Sequence, residues 1–129
     1  MMNTAISEGV EISVKVNFRK DLSQVEEGSF FFNYEIKISN KNSFPIQLLL
    51  RHWYIFDSLH DVNFVSGEGV VGEQPILKPD ESYSYMSGCE LHSEFGYMKG
   101  FYIFRNLINQ KDLQVFIPKF NLEYNPRLN

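Results

Sequence analysis

The nine residues VEISVKVNF, at positions 10–18, alternate strictly between apolar and polar side chains. A period of two is typical of a β-strand with one buried face, because successive side chains point to opposite sides of the pleated backbone. The segment FFFNYEIKIS, at positions 30–39, repeats the pattern with one apolar exception, Phe31. The two segments therefore predict two half-buried strands.

Five further segments read as short strands, at positions 48–56, 62–65, 83–87, 95–104 and 113–117. No window of eleven residues shows the 3.6-residue period of a helix. Positions 19–28 and 67–79 read as irregular connections, and Pro118 marks a bulge after which Phe120 and Leu122 resume the apolar face. About seven short strands without helices predict an all-β protein, an antiparallel β-sandwich.

The segment at positions 48–56 is apolar on both sides, so alternation alone leaves its buried side open. One set contains Leu49, Arg51 and Trp53, and the other contains Leu48, Leu50 and Tyr54. A strand that is apolar on both faces is either central or part of an interface. We expect Trp53 to lie in the core.

Composition limits the class of protein. The 129 residues fit one domain, spanning 1–129, and 43% hydrophobic with 22% charged residues is ordinary for a globular chain. The net charge of −4 argues against nucleic-acid binding. The single cysteine fits a reducing compartment. No apolar run approaches the length of a transmembrane helix. The first nine residues lack the features of a secretory signal. These observations predict a cytoplasmic protein without direct membrane insertion.

The loop at positions 67–75 spells G-x-G-x-x-G, with Gly67, Gly69 and Gly72 as its glycines. In a dinucleotide-binding fold this motif opens a helix whose N-terminus holds the phosphates. Here Glu73-Gln74-Pro75 follows, and Pro79 lies just beyond, so no helix can continue. We therefore predict that the loop binds no nucleotide and packs over the sandwich edge, held by hydrogen bonds of Glu73 and Gln74.

Other candidate chemistry is sparse. Asp57, His60 and Asp61 are weak candidates for divalent-ion ligands, but the same cluster reads as a solvated turn. Cys89 lies among strand residues, where a buried and unreactive thiol is expected. Ser87-Gly88 is read as a turn and lacks the pattern of a nucleophile elbow. No cofactor and no enzymatic activity are predicted.

Several strings of residues carry a family resemblance. They are Leu49-x-Arg51-His52-Trp53-x-Ile55-x-Asp57, then Gly67-x-Gly69-Val70-Val71-Gly72-Glu73-Gln74-Pro75, Leu77-x-Pro79, Tyr83-x-Tyr85-x-Ser87-Gly88, Gly96-x-Met98-x-Gly100-x-Tyr102 and Val115-x-Ile117-Pro118-x-Phe120. Together they resemble the ApaG family over positions 10–122. The chain departs from the family at Asp80 and at Leu59-His60-Asp61, where glycines are usual.

The resemblance implies an immunoglobulin-like, fibronectin type III-like sandwich. Bacterial members are called cobalt/magnesium efflux proteins, from an association with cobalt tolerance and magnesium transport. In eukaryotic relatives the domain is assigned a protein-interaction role. The family offers no established catalytic residues. The expected function is a protein-binding module with a protein partner or a second copy of itself. The alternative is a binder of a small molecule or divalent ion, such as cobalt, magnesium, nucleotide or pyrophosphate.

An immunoglobulin-like topology places the strands at 48–56, 95–104 and 113–117 side by side in one sheet. If Trp53 points inward, alternation turns a set of large apolar side chains outward. The predicted interaction patch contains Tyr54, Phe56, Phe101, Ile103 and Phe116. The alternative is that a loop or the segment at 19–28 covers these side chains.

Overall fold

The structure is a computed structural model that describes residues 2–126. The described residues form nine strands and two single turns of 3₁₀ helix, the latter at Lys20–Leu22 and Val25–Glu27. The strands are β1 Met2–Ser7, β2 Val10–Phe18, β3 Phe30–Asn40, β4 Ile46–Asp57, β5 Asn63–Glu68, β6 Ile76–Leu77, β7 Ser82–Leu91, β8 Phe95–Asn106 and β9 Asp112–Glu123. None of the helices in this part of the chain is long and apolar enough to span a bilayer.

The strands form two antiparallel sheets. One has the order β1-β2-β3-β7, and the other has the order β5-β4-β8-β9 with β6 beside β4. The predicted all-β sandwich is confirmed, and so is the adjacency of β4, β8 and β9. Seven of the nine strands are the predicted ones, and β1 and β6 are additions that alternation did not show.

The core lies between the two sheets. Alternate residues of β2 and β3 point into it, as do those of β8 and β9, in agreement with the predicted periodicity. Trp53 is 4% exposed, which confirms its predicted burial. The fully buried large side chains are Ile12, Phe32, Ile36, Ile38, Ile46, Leu48, Leu91, Met98, Tyr102, Phe104, Phe120 and Leu122.

A bulge in β4 resolves the question of its buried side. The pairing with β8 shifts register between Leu48 and Leu50. Leu48 is buried on one side of the shift, whereas Trp53 and Asp57 are buried beyond it. Because the bulge reverses the alternation, neither of the two sets is buried along the whole strand.

Two sequence interpretations need correction. Ser87 and Gly88 do not form a turn, because both lie inside β7 and pair with β3. A Cβ atom at Gly88 would collide with the Phe31 ring on the neighbouring strand, so this glycine serves close packing. Positions 67–79 are also less irregular than expected, since β5 extends through Gly67 to Glu68 and β6 follows.

The edge strands β1 and β9 join the two sheets along one side of the sandwich. There β1 borders the free edge of β9, where Asn3 Nδ2 donates to the Lys119 carbonyl at 2.8 Å and the Phe116 amide donates to Ser7 Oγ at 2.9 Å. On the opposite side the edge strands are β5 and β7.

Candidate functional site

The outer surface of the sheet β5-β4-β8-β9 carries rows of aromatic rings that cross the strands; we call it the outer aromatic face. In its longest row Ser66 Oγ and His52 Nδ1 share a hydrogen bond of 2.8 Å. The His52 ring stacks on Phe101 with centroids 4.6 Å apart, and Phe101 meets Phe116 at 6.3 Å. The row exists because register brings one residue from each strand into line.

Two shorter rows lie beside it, both toward the end of β4. Tyr54 meets Phe64 edge-on at 4.8 Å, and Lys99 Nζ lies 5.6 Å from the centre of the Tyr54 ring. Phe56 stacks on Tyr97 at 4.8 Å, and Lys119 Nζ lies 4.1 Å from the centre of that ring. These are cation–π distances, so both ammonium groups are held over the aromatic surface.

Much of this aromatic surface faces solvent. Phe64 is 70% exposed, Phe116 54% and Tyr54 36%, while Phe56, Phe101 and Ile103 are half-buried. All five residues of the predicted patch lie on this sheet surface. The segment at 19–28 lies against the other sheet, where the Arg19 amide donates to the Phe31 carbonyl at 2.8 Å. It is therefore not a cover for the patch.

Sequence reasoning missed His52 and Phe64 as members of this face. His52 precedes the inward-facing Trp53 on β4 and therefore points outward, but its stacking on Phe101 depends on the register between β4 and β8. Phe64 lies in a strand too short to show which neighbour it pairs with. The signal that could have found Phe64 is pairing with Tyr54, which needs the register of the β4–β5 hairpin.

A shallow groove of about 480 Å³ lies within the outer aromatic face. Rings of Tyr54, Phe101 and Phe116 line it, and Lys99 and Lys119 stand at its sides. No carboxylate is among the lining residues. The groove is thus apolar and positively charged in a chain whose net charge is −4.

Asp57, at the end of β4, fixes the neighbouring loop. Its buried carboxylate accepts hydrogen bonds from the His92 amide at 2.6 Å, from Ser93 Oγ and from the Leu59 amide at 3.4 Å. Burial by itself would raise the Asp57 pKa. The hydrogen bonds, with a smaller contribution from nearby His60, outweigh burial and hold the pKa below its ordinary value. Asp57 therefore serves the loop as an ionised acceptor.

The candidate metal ligands do not form a ligand set. Asp57, His60 and Asp61 line one shallow depression, and the rings of His60 and His92 lie 5.5 Å apart. Within residues 2–126, no three His, Cys, Asp or Glu side chains are grouped to hold a metal ion. The carboxylate of Asp57 is already occupied by protein donors.

The glycine-rich segment is a tight hairpin. Val70 and Glu73 exchange main-chain hydrogen bonds of 2.8 and 2.9 Å around Val71 and Gly72, which both have positive φ. This is a two-residue type I′ turn. Val70 is buried at the sandwich edge, and no helix follows. The segment therefore lacks the helix N-terminus that a phosphate site of this motif needs.

The side chains of Arg51 and Gln74 tie this hairpin to β4. Arg51 Nη1 donates to the carbonyls of Glu68 and Gly69 at 2.9 and 3.0 Å. Gln74 Nε2 donates to the Leu49 carbonyl at 3.0 Å, as expected for this residue. Glu73 differs from expectation, since the hydrogen bonds described above come from its main chain. Of the remaining motif residues, Gly67 lies beside the Arg51 guanidinium and the Pro75 carbonyl accepts from the Leu48 amide at 3.1 Å.

Cys89 lies on β7 facing the core and is buried and unpaired. Burial raises the pKa of its thiol to about 11, and the charges of Asp57 and Glu90 act in the same direction. At neutral pH the thiol is protonated and therefore a poor nucleophile.

The fold and the surface together define a class, a small immunoglobulin-like β-sandwich with an exposed aromatic sheet face. Comparison with known proteins narrows this class. The family model of the ApaG domain matches residues 20–106 of this chain. The chain belongs to the ApaG domain family.

Relatives and solved structures agree with this assignment. The chain is 38% identical over 123 residues to protein ApaG of Beijerinckia indica, covering 95% of this chain and 93% of the relative. It is 43% identical over 101 residues to protein ApaG of Anaeromyxobacter dehalogenans, covering 78% and 79%. A crystal structure from Bordetella pertussis, of a protein provisionally called ApaA, superposes with a TM-score of 0.86 at 35% identity, covering 91% of this chain and 94% of that one.

Proposed function

We propose that this chain is a non-catalytic binding module that captures a protein partner on its outer aromatic face. The observation that carries the proposal is the exposure of Phe64, Phe116 and Tyr54 on one continuous surface. Monomeric proteins seldom expose contiguous apolar patches of several large side chains without a binding role. Aromatic side chains are also enriched where protein interfaces gain most of their affinity.

Two features favour binding over catalysis. The Cys89 thiol is buried with a raised pKa, and the Asp57 carboxylate is taken up by hydrogen bonds within its own loop. Neither group is free to act on a substrate.

The charges on this face favour an acidic partner over a second copy. A two-fold dimer through this face would bring Lys99 and Lys119 of one chain toward the same lysines of the other. Like charges across an interface oppose binding, whereas an acidic segment with a large apolar side chain would complement both the rings and the ammonium groups. On this proposal, any link to cobalt tolerance or magnesium transport would run through the captured protein.

The alternative of nucleotide or pyrophosphate binding at the glycine hairpin has less support. A G-x-G-x-x-G motif binds phosphate through main-chain amides at the start of a helix. In this hairpin the amides of Gly69, Val70 and Glu73 already donate to the carbonyls of Leu49, Glu73 and Val70. Those three amides are thus unavailable to a ligand.

Selection from a random peptide library tests the proposal. We expect the chain to enrich peptides that combine acidic residues with a large apolar side chain. The substitution Phe101→Lys should abolish their binding, because it removes a central ring and adds a third positive charge to the face. Met86→Lys is the matched control, since Met86 is 52% exposed on the outside of the other sheet.

Sedimentation of the same proteins tests the choice of partner. We expect a monomer for the unmodified chain. A dimer that Phe101→Lys dissociates would contradict the acidic partner and support self-association instead. Peptide binding that survives Phe101→Lys but is lost in Met86→Lys would contradict the assignment of the face.

A further inference from the structure

A cavity of about 340 Å³ lies between the edge strands β5 and β7 of the two sheets. Side chains from both sheets line it. Tyr34 and Trp53 are buried at its apolar base and meet edge-on with ring centroids 5.6 Å apart. Val70 and Val71 of the glycine hairpin lie at its rim. The cavity lies on the inner side of β4, opposite the outer aromatic face.

One cationic side chain lines this cavity, and no carboxylate does. Arg51 uses Nη1 for two hairpin carbonyls, and neither of the two ion pairs formed by residues 2–126 includes it. Its charge is therefore not balanced by a carboxylate in contact. A guanidinium has five donor hydrogens in a fork that matches carboxylate and phosphate oxygens.

Neutral hydroxyl groups complete the lining. Tyr34 and Ser87 face each other across the β3–β7 pair, and Tyr85 shares a hydrogen bond with the buried Tyr102 hydroxyl. Burial raises the pKa of Tyr34 and of Tyr85. Their hydrogen bonds with Ser87 and Tyr102, and to a smaller extent the charge of Arg51, offset this only in part. These phenols remain protonated at neutral pH, so they are potential donors and add no negative charge.

We propose that this cavity binds a small amphipathic anion, with its carboxylate or phosphate head on Arg51 and its apolar body against Tyr34 and Trp53. Ligand cavities commonly combine an apolar lining with a few placed polar groups, and this one has both. The hairpin hydrogen bonds and the ladders of β4 and β7 fix the lining before a ligand arrives, which lowers the entropy cost of binding. The inference is independent of the proposed protein-binding function, because it concerns the other side of the sheet.

Fluorescence titration tests this inference, since Trp53 is the single tryptophan of the chain and lines the cavity. The probes are octanoate, octyl phosphate and uncharged 1-octanol. We expect saturable changes in Trp53 emission with at least one of the anions, and about tenfold weaker binding of 1-octanol, because it lacks a charge-assisted hydrogen bond to Arg51. The tighter of the two anions identifies the head group.

Two variants and two matched controls localise the binding. Arg51→Met removes the charge, and Ser87→Ile fills the cavity from β7 while Arg51 stays in place. Each should weaken binding of the preferred anion about tenfold or more. Arg105→Met, at a surface ion pair with Asp112, and Met86→Ile, on the opposite face of β7, should leave it unchanged.

Circular dichroism must show that Arg51→Met folds, because Arg51 also holds the hairpin. If Arg51→Met does not fold, Ser87→Ile alone decides the test. Three results would overturn the inference. They are no saturable signal with either anion, equal affinity for octanoate, octyl phosphate and 1-octanol, and anion binding that persists in Ser87→Ile.

Discussion

At the scale of single residues, Trp53 joins the two sheets. Its ring meets Tyr34 from the facing sheet at 5.6 Å and Phe120 at 5.9 Å, both edge-on. We expect Trp53→Ala to lower the free energy of unfolding by about 3–5 kcal/mol, because a large cavity would remain between packed rings. Urea unfolding followed by circular dichroism measures this. Trp53→Phe should cost less, and a loss below about 1 kcal/mol for the alanine variant would contradict the packing described.

Asp57 should make stability depend on acid pH. Because its folded-state pKa is lowered, the ionised carboxylate stabilises the fold. That contribution is complete above the unfolded-state pKa of about 3.9 and is lost as pH falls through this value toward the folded-state pKa. The free energy of unfolding should therefore fall more steeply below about pH 4 in the unmodified chain than in Asp57→Asn. Parallel curves would contradict this role, since every other carboxyl group is common to both proteins.

The burial of single residues was largely predictable from the sequence, whereas their contact partners were not. Alternation identified the inward sides of β2, β3 and β8, because a half-buried strand must separate apolar from polar side chains. Alternation places Arg51 on the same side of β4 as Trp53, but it could not show which groups the guanidinium contacts. Arg51 satisfies hairpin carbonyls that are distant in sequence, and such a contact leaves no local pattern.

At the scale of elements, the glycine hairpin depends on two glycines for different reasons. Gly69 and Gly72 both have positive φ, but only at Gly69 would a Cβ atom collide, with the Glu73 carbonyl. Gly69→Ala should therefore destabilise the fold by more than Gly72→Ala, whose cost is limited to backbone strain of about 1–3 kcal/mol. Thermal unfolding of the two variants checks this order. Equal losses would show that steric contact is unimportant here.

Val71 occupies an unfavourable position in the same turn. It has a φ of 45° and is 64% exposed, although β-branched residues rarely adopt this region of backbone space. Asn followed by Gly is the preferred pair of a type I′ turn. We expect Val71→Asn to raise the free energy of unfolding by about 0.5–1 kcal/mol, measured in urea. Val65→Asn is a suitable control in β5, where asparagine should destabilise the strand.

Elements with strong alternation were predicted well, and those that break it were not. Pro118 signalled the bulge in β9, because proline lacks the amide that a ladder needs; the register indeed shifts there, between Met98 and Gly100 of β8. The bulge in β4 carries no such residue, which is why its buried side stayed open. In β1 the side chains are all exposed or half-buried, so no apolar face revealed the strand.

At the scale of the whole molecule, divalent cations should leave thermal stability unchanged. A ligand that binds only the folded state raises the melting temperature. We expect no such rise from cobalt or magnesium at pH 7. The Asp57 carboxylate already accepts protein hydrogen bonds, and His60 and Asp61 lack a third ligand-type partner among residues 2–126. Thermal unfolding with each chloride salt checks this. A rise with cobalt that disappears in His60→Ala but persists in His52→Ala would contradict it.

The single thiol gives this molecule a built-in reporter. Cys89 is protonated and faces the core from the edge strand β7, so an alkylating reagent can reach it only when β7 moves away from the facing sheet. The rate of alkylation at neutral pH therefore measures local opening at the edge of one sheet. Comparing that rate with the rate of global unfolding would show whether the side of the sandwich between β5 and β7 opens without unfolding of the whole chain.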